Sequence, residues 1–262
     1  MKEKWTGERL ETFVFNETTI EHLHRYALVM PFVENKAVLD IACGEGYGSK
    51  LIASKARQVT GVDIDAETIQ TAQAKYKAAN LSYKQGSADQ IPVADLSVDV
   101  VVSFETIEHH DKHEEMMQEV KRVLKPGGVL IISSPEKTGE VSFNEFHVKE
   151  LTFNEFKELI SKHFRFHKFY NQKIVHGSLV APAESDRGSG FQFGDGSFDR
   201  VNLYPKIPSS IFNICIASDE NDVSLPTSFF DGSEMLHKNI VSPYQNSRLY
   251  KLGNLLNVFR RK

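Results

Sequence analysis

The chain has 262 residues, 40% of them hydrophobic and 25% charged, with a formal net charge of −4. That length suggests one large domain, or one domain plus an elaboration. The composition excludes a wholly disordered chain, a collagen and a disulfide scaffold, and the mild acidity weighs against a wholesale nucleic-acid binder.

Cys43 and Cys215 are the two cysteines, both in apolar runs, and they read as small buried hydrophobes of a reducing compartment. The opening MKEKWTGERLETF lacks the apolar core of a signal peptide. No apolar run approaches the roughly 20 residues that span a bilayer. The expectation is a soluble cytoplasmic protein.

After a polar arm, Thr18–Phe32 carries Ile20, Leu23, Ala27, Leu28 and Val29 at helical spacing, with Pro31 at its end. A regular alternation follows. Strands are expected at Lys36–Ala42, Gln58–Val62, Leu81–Gln85, Val98–Ser103 and Val129–Ser133, and helices at Tyr47–Ala56, Ala66–Ala79 and Asp111–Leu124. Strands separated by helices imply βαβ units and a parallel sheet. Runs such as VDVVVS and GVLIIS are apolar throughout, as strands covered on both faces are. Ligands of such sheets bind at the carboxyl ends of the strands.

A further helix is expected at Thr152–His163, then an aromatic-rich strand at Phe164–Asn171. Ile211–Ala217 is suited to pair with that strand as a late antiparallel one. Between them, Ala183–Tyr204 mixes Gly, Asp and Ser with Phe191, Phe193, Phe198 and Tyr204. So long a loop is either functional or disordered. In Ser247–Lys262, five apolar positions form one helical stripe, which suits docking on the domain, an oligomer contact or a membrane surface.

The segment VLDIACGEGYG ends the first strand and opens a helix. Gly44, Gly46 and Gly48 permit a tight turn with close backbone approach to a ligand. About 20 residues on, GVDID ends the second strand, and Asp63 there can accept both hydroxyls of a ribose, with Asp65 as its neighbour. In SFETIEHHDKHEE, Glu105, Glu108 and His109 form E-x-x-E-H, followed by His110. If the segment turns helically, two carboxylates and an imidazole converge on one side, a site suited to a divalent cation. His109 or His110 acting alone as general base is a rival reading, and a purely structural cap is another.

VLDIACGEGYG, GVDID, IPVADLSVDVVVSFETIEH and VLKPGG, in that order, resemble the class I S-adenosylmethionine-dependent methyltransferases. The resemblance covers roughly 8–176 plus the strand near 211–217. It implies an α/β fold with a Rossmann-like seven-stranded sheet, helices on both faces and an antiparallel last strand. On that basis 1–35 is an arm and cap helix and 36–217 the methyltransferase domain with the loop 183–204 inserted. The extension 218–262 then ends in the amphipathic helix.

The resemblance also implies S-adenosyl-L-methionine as cofactor, lying over Asp40, Ala42, Gly44 and Gly46, with Asp63 on its ribose and Ile64 beside it. Phe104 covers the methionine or the adenine. Ala42 stands where the family often has Gly. Ser87, Ala88 and Asp89 occupy the adenine position, where the family often has an acidic residue directly after the Gly. The helix EHLHRY commonly covers the cleft in this fold, which makes His22, Arg25 and Tyr26 candidates to line it, Arg25 meeting the methionine carboxylate or an anionic substrate; for each residue taken singly, a solvated helix face is the favoured reading.

E-x-x-E-H at this place looks like the metal site of small-RNA 2′-O-methyltransferases and is similar to that of ubiquinone-pathway O-methyltransferases. It implies Glu105, Glu108, His109 and His147 on a magnesium or manganese ion, with Glu105, His109 and His110 as candidate catalytic residues. The whole pattern, with FHVKEL before the last helix, most resembles a bacterial group associated with cell-surface polysaccharide synthesis. That implies O-methylation of a sugar or glycan hydroxyl. A small-RNA or quinone O-methyltransferase and a non-catalytic cofactor-binding scaffold are the alternatives; the net charge disfavours nucleic acid.

Overall fold

The computed structural model describes residues 10, 12–13, 15–137, 144–176, 192–197 and 200–247. Helix α1 (Glu17–Val29) starts at Asn16, whose side chain accepts from the Thr19 N–H while the Thr19 hydroxyl accepts from the Asn16 N–H. Two donors left over at the helix start are satisfied in this way.

The alternation then runs β1 (Ala37–Ile41), α2 (Tyr47–Ala53), β2 (Gln58–Asp63), α3 (Ala66–Lys75), β3 (Leu81–Gln85), β4 (Val98–Ser103), α4 (His113–Val123) and β5 (Leu124–Pro135). Helix α5 (Phe153–His163) opens on a second reciprocal cap, between Thr152 and Glu155, and leads into β6 (Phe166–Gln172). A hairpin of β7 (Phe193–Gly196) and β8 (Val201–Tyr204) precedes β9 (Phe212–Ser218).

The main sheet has seven strands in the order β3-β2-β1-β4-β5-β9-β6. Strands β1 to β5 pair in parallel, and β9 runs antiparallel to both β5 and β6. The late antiparallel strand expected at Ile211–Ala217 is therefore present, and it sits inside the sheet, between β5 and β6. Side chains alternate between two cores. Leu39, Ile41 and Val101 pack with Met116 and Val120 of α4 and Phe156 and Ile160 of α5. Val38, Val100 and Val102 pack with Val29 of α1 and Ile52 of α2. This is the Rossmann-like sheet with helices on both faces.

Strand β1 lies between β2 and β4. The chain moves outward to β3 and then returns to the other side of β1, so the loops after β1 and β4 leave in opposite directions. A crevice at that point is the ligand site of open α/β sheets.

Some boundaries differ from the sequence expectation. Helix α2 ends at Ala53, not Ala56, because the Asn80 side-chain amide donates to the carbonyls of Ala53 and Ala56 at 2.8 Å each. Helix α3 ends at Lys75, since Tyr76 is extended. Part of the segment expected as one loop over 183–204 is the β7–β8 hairpin; 183–191, Phe198 and Asp199 lie outside the described residues. The terminal helix expected over 247–262 lies outside them except for Ser247. Among the described residues no helix is long and apolar enough to cross a membrane.

Candidate active site

The crevice is a cleft of about 540 Å³. One end is the turn between β1 and α2. Ala42 (φ 54°), Gly44 (φ 52°) and Gly46 (φ 91°) all take left-handed conformations there, so the turn folds back on itself within five residues. An alanine tolerates this at a cost that glycine avoids. Asp63, buried at the tip of β2, accepts from the Gly44 N–H at 2.9 Å and from the Asp65 N–H at 3.0 Å. It thereby locks the first two strand tips together. Gly48 has no room for a side chain: a Cβ there would lie 1.9 Å from the Tyr26 ring.

Asp40 stands behind this wall. It accepts from the Ser49 hydroxyl at 2.6 Å and the Tyr26 hydroxyl at 3.4 Å, and burial lifts its carboxyl to a pKa of about 7. Asp40 and Gly46 are not among the cleft's lining residues; Ala42, Gly44, Asp63 and Ile64 are. Ser87, Ala88 and Asp89 form the next stretch of wall. Asp89 accepts from Lys112 Nζ at 2.5 Å, and that bond with one from Ser87 holds its carboxyl down at about 2. Phe104 sets its ring edge-to-face with Tyr26 at 5.3 Å.

The other end is built from the loop after β4 and the segment 144–150. The backbone joins the two: the Val148 and Lys149 N–H groups both donate to the Glu108 carbonyl, at 2.8 and 3.0 Å. His109 Nδ1 lies 2.9 Å from the Phe146 carbonyl, so Nδ1 carries the proton and Nε2 is left as the acceptor. His109 Nε2 is 3.9 Å from Glu108 Oε1, and the His109 and His147 rings meet edge-to-face at 5.2 Å. One ligand atom each from Glu108, His109 and His147 lies within 4.8 Å of the others.

Glu108 is 1% exposed, and neither of its oxygens has a hydrogen-bond partner among the described residues. Burial, reinforced by Glu105, pushes its pKa well up. His147 is oriented by Glu150 on Nδ1 (2.5 Å) and Asn144 on Nε2 (2.9 Å). His110 lines the cleft with both ring nitrogens buried and unpartnered among the described residues, and burial lowers its pKa.

Glu105 lines the same cleft but is not one of these three ligand groups. The helical turn spans only Ile107–His109, so Glu105 precedes it, at φ 50°, and the i, i+3, i+4 convergence expected from E-x-x-E-H is not formed. Its Oε1 accepts from the Ser133 hydroxyl at 2.7 Å and lies 3.3 Å from Arg25 Nη1.

Arg25 is fully buried, 4.3 Å over the Phe212 ring, with Nε donating to Gln172 Oε1 at 2.7 Å. The expectation that it lines the cleft is corrected: it lies behind Glu105 and Phe212, while His22 and Tyr26 do line the cleft. Helix α1 also contributes Glu21, whose carboxyl burial lifts to about 7. Sequence reasoning missed Ser133, Gln172, Asn144 and Phe212. The first two act by orienting other groups, which no spacing rule marks; Phe212 opens an apolar strand and reads as core.

Residues 39–132 match the family model described as a methyltransferase domain. The chain is similar to methyltransferases over this segment. It is 40% identical over 156 residues to a probable S-adenosylmethionine-dependent methyltransferase of Mycolicibacterium smegmatis, covering 58% of this chain and 60% of the relative. A probable enzyme of the same description from Mycobacterium tuberculosis is 34% identical over 166 residues, covering 59% of this chain and 58% of the relative. A fatty-acid O-methyltransferase of M. smegmatis is 31% identical over 123 residues, covering 46% and 44%.

The chain thus spans about 60% of the length of the first two of these relatives. Its fold is similar to that of a methyltransferase solved with the Haloferax volcanii Trm112 activator, with a TM-score of 0.55 at 19% identity, covering 78% of this chain and 90% of that one. The class I, Rossmann-like methyltransferase fold expected from the motifs is borne out.

Proposed function

We propose that the chain is an S-adenosyl-L-methionine-dependent O-methyltransferase. One cleft joins the glycine turn and Asp63 to the Glu108–His109–His147 cluster, and that juxtaposition carries the reading. Ala42 and Gly44 would hold the cofactor, with Asp63 receiving its ribose hydroxyls and Ile64, Ser87, Ala88 and Asp89 its adenine. Phe104 and Tyr26 wall the methionine side. The acceptor hydroxyl then meets the sulfonium methyl beside His109. S-adenosylmethionine bound there would supply an electrophilic methyl group, and with no cation bound His109 Nε2 would take the proton of the hydroxyl. Burial lowers the pKa of His110 and raises that of Glu108.

A divalent cation fits this end. Glu108 offers two buried oxygens with no protein donor, beside two imidazoles. Glu108, His109 and His147 would hold it. Two imidazoles and one carboxylate suit manganese, iron or zinc better than magnesium. Such an ion lowers the pKa of a bound hydroxyl. Glu105, held by Arg25 and Ser133, shapes the wall beside it.

The acceptor we favour is a sugar or glycan hydroxyl. Supporting this, the β7–β8 hairpin is inserted between β6 and β9. It pairs Phe193 with Tyr204 and Asp195 with Asn202 on one face, aromatic and polar residues suited to a pyranose. A lipid acceptor is the second reading, favoured by the relative named a fatty-acid O-methyltransferase. A labelled-methyl assay across glycosides, nucleotide sugars, fatty acids and short RNAs tests both. Label in glycosides supports the first reading; label in fatty acids alone replaces it with the second. Cofactor binding without transfer to any class favours the scaffold alternative.

A further inference from the structure

Glu21 of helix α1 lines the cleft and is only 6% exposed, yet among the described residues neither of its carboxyl oxygens takes a hydrogen bond. A buried carboxyl without a donor is costly. Burial, partly offset by Arg25 and reinforced by Glu105, lifts it to about 7. The main chain at this point is fixed from outside the helix: the Gln172 side-chain amide donates to the Glu21 carbonyl at 3.0 Å. Arg25 follows one turn later, on the same face of α1, and its Nε donates to the same Gln172 side chain. Arg25 Nη1 in turn lies 3.3 Å from Glu105 Oε1, which also accepts from the Ser133 hydroxyl. Glu105 lines the cleft too, and its Oε2 has no partner among the described residues. Two carboxyls thus reach the cleft, one from α1 and one from the loop after β4. The fully buried Arg25 guanidinium sits behind them and is not part of the lining.

We propose that Glu21 and Glu105 form the subsite that grips the acceptor, and that this subsite takes neutral, hydroxyl-rich acceptors and turns carboxylates away. Carboxyl oxygens that the chain leaves without donors are completed by donors from a ligand, and the neighbouring hydroxyls of a pyranose supply them. An acceptor carboxylate brings only acceptor oxygens and a like charge. An ammonium gains little, because the Arg25 guanidinium already supplies positive charge behind the pair. Arg25 itself is out of reach of an anionic acceptor, since Glu105 and Phe212 stand between it and the cleft. Arg25 and Gln172 are positioning residues that hold the two carboxyls and touch no ligand. The subsite rests on the sugar reading proposed above and deepens it: one hydroxyl meets His109 while its neighbours lie on Glu21 and Glu105. It also gives a physical reason for the cleft to prefer a glycan to a free fatty acid.

Steady-state methyl transfer to a panel of methyl pyranosides and their matching methyl uronosides tests this, on the full chain with Glu21→Met and Glu105→Gln beside the wild type. Glu21→Met removes a carboxyl that no described part of the chain bonds, so its melting temperature should equal or exceed that of the wild type. Its KM for the pyranoside should rise about tenfold with kcat held within about threefold, the mark of lost ground-state binding, while calorimetry shows S-adenosylmethionine affinity unchanged. The wild type should favour each pyranoside over its uronoside by about tenfold in kcat/KM, and Glu105→Gln should narrow that preference to about threefold. Glu105→Gln strips Arg25 of its ion pair; where that prevents folding, Glu21→Met decides alone. A pyranoside KM within about twofold of wild type in Glu21→Met, or a charge preference that a folded Glu105→Gln leaves unchanged, would overturn the subsite while the sugar reading stands. A wild-type chain that labels no pyranoside would overturn the sugar reading and the subsite together.

Discussion

The two ends of the cleft are built on opposite terms. At the glycine turn the polar groups are satisfied within the chain: Asp63 takes two backbone N–H groups, Asp40 takes two hydroxyls, and Asp89 takes Lys112 and Ser87. At the Glu108–His147 end, both Glu108 oxygens and both His110 nitrogens are buried without hydrogen-bond partners among the described residues. Orphaned buried polar atoms cost about 1–3 kcal/mol each. A protein that tolerates several in one place has a use for them, so the first end reads as a finished socket and the second as one that a ligand completes.

The largest expected effect breaks the first end. Gly48→Ala drives a Cβ to 1.9 Å from the Tyr26 ring, so Tyr26 must leave its place between Asp40 and Phe104. Overpacking of this kind costs roughly 1–3 kcal/mol; thermal melting should show it, and an unchanged melting temperature would mean the contact relaxes freely. Asp63→Ala should weaken S-adenosylmethionine binding by about 10- to 100-fold, the worth of one or two hydrogen bonds to a charged group. Calorimetry giving equal affinity would remove Asp63 from the ribose.

The same contrast explains what the sequence disclosed. The glycine turn, Asp63 and the strands are local: each needs only a spacing and an apolar run, and VLDIACGEGYG and GVDID contain them whole. The second end is non-local. Glu108 meets His147 through the clip that Val148 and Lys149 form on the Glu108 carbonyl, nearly 40 residues downstream. The spacing E-x-x-E-H put Glu105 with Glu108 and His109, yet a left-handed backbone at Glu105 and the pull of Arg25 and Ser133 place it elsewhere. Arg25, legible as a charged residue on a cap helix, is buried because Gln172 and Phe212, from two late strands, close over it.

A chelator sharpens the comparison at its second end. EDTA should abolish methyl transfer, and a divalent ion should restore it, while cofactor affinity stays constant; full turnover in EDTA would leave His109 as an unaided base.

A smaller effect is expected from pH at the first end. Burial raises Asp40 from its ordinary 3.8 to about 7. A raised carboxyl favours the folded state fully below about 4, and that contribution is lost as pH climbs through 7. Wild-type stability should therefore fall between pH 4 and 8, and Asp40→Asn should flatten the fall by about 1–3 kcal/mol, read from denaturant melts at each pH. An identical slope in Asp40→Asn would assign it to Glu21 or Glu108, whose carboxyls burial also raises.

The division of the cleft is tested most directly by Glu108→Gln, with cofactor affinity and methyl transfer measured on the same preparation. We expect S-adenosylmethionine to bind as tightly as to the wild type while transfer falls by about 10²- to 10⁴-fold. A variant that transfers methyl groups at the wild-type rate, or that loses the cofactor, would contradict it.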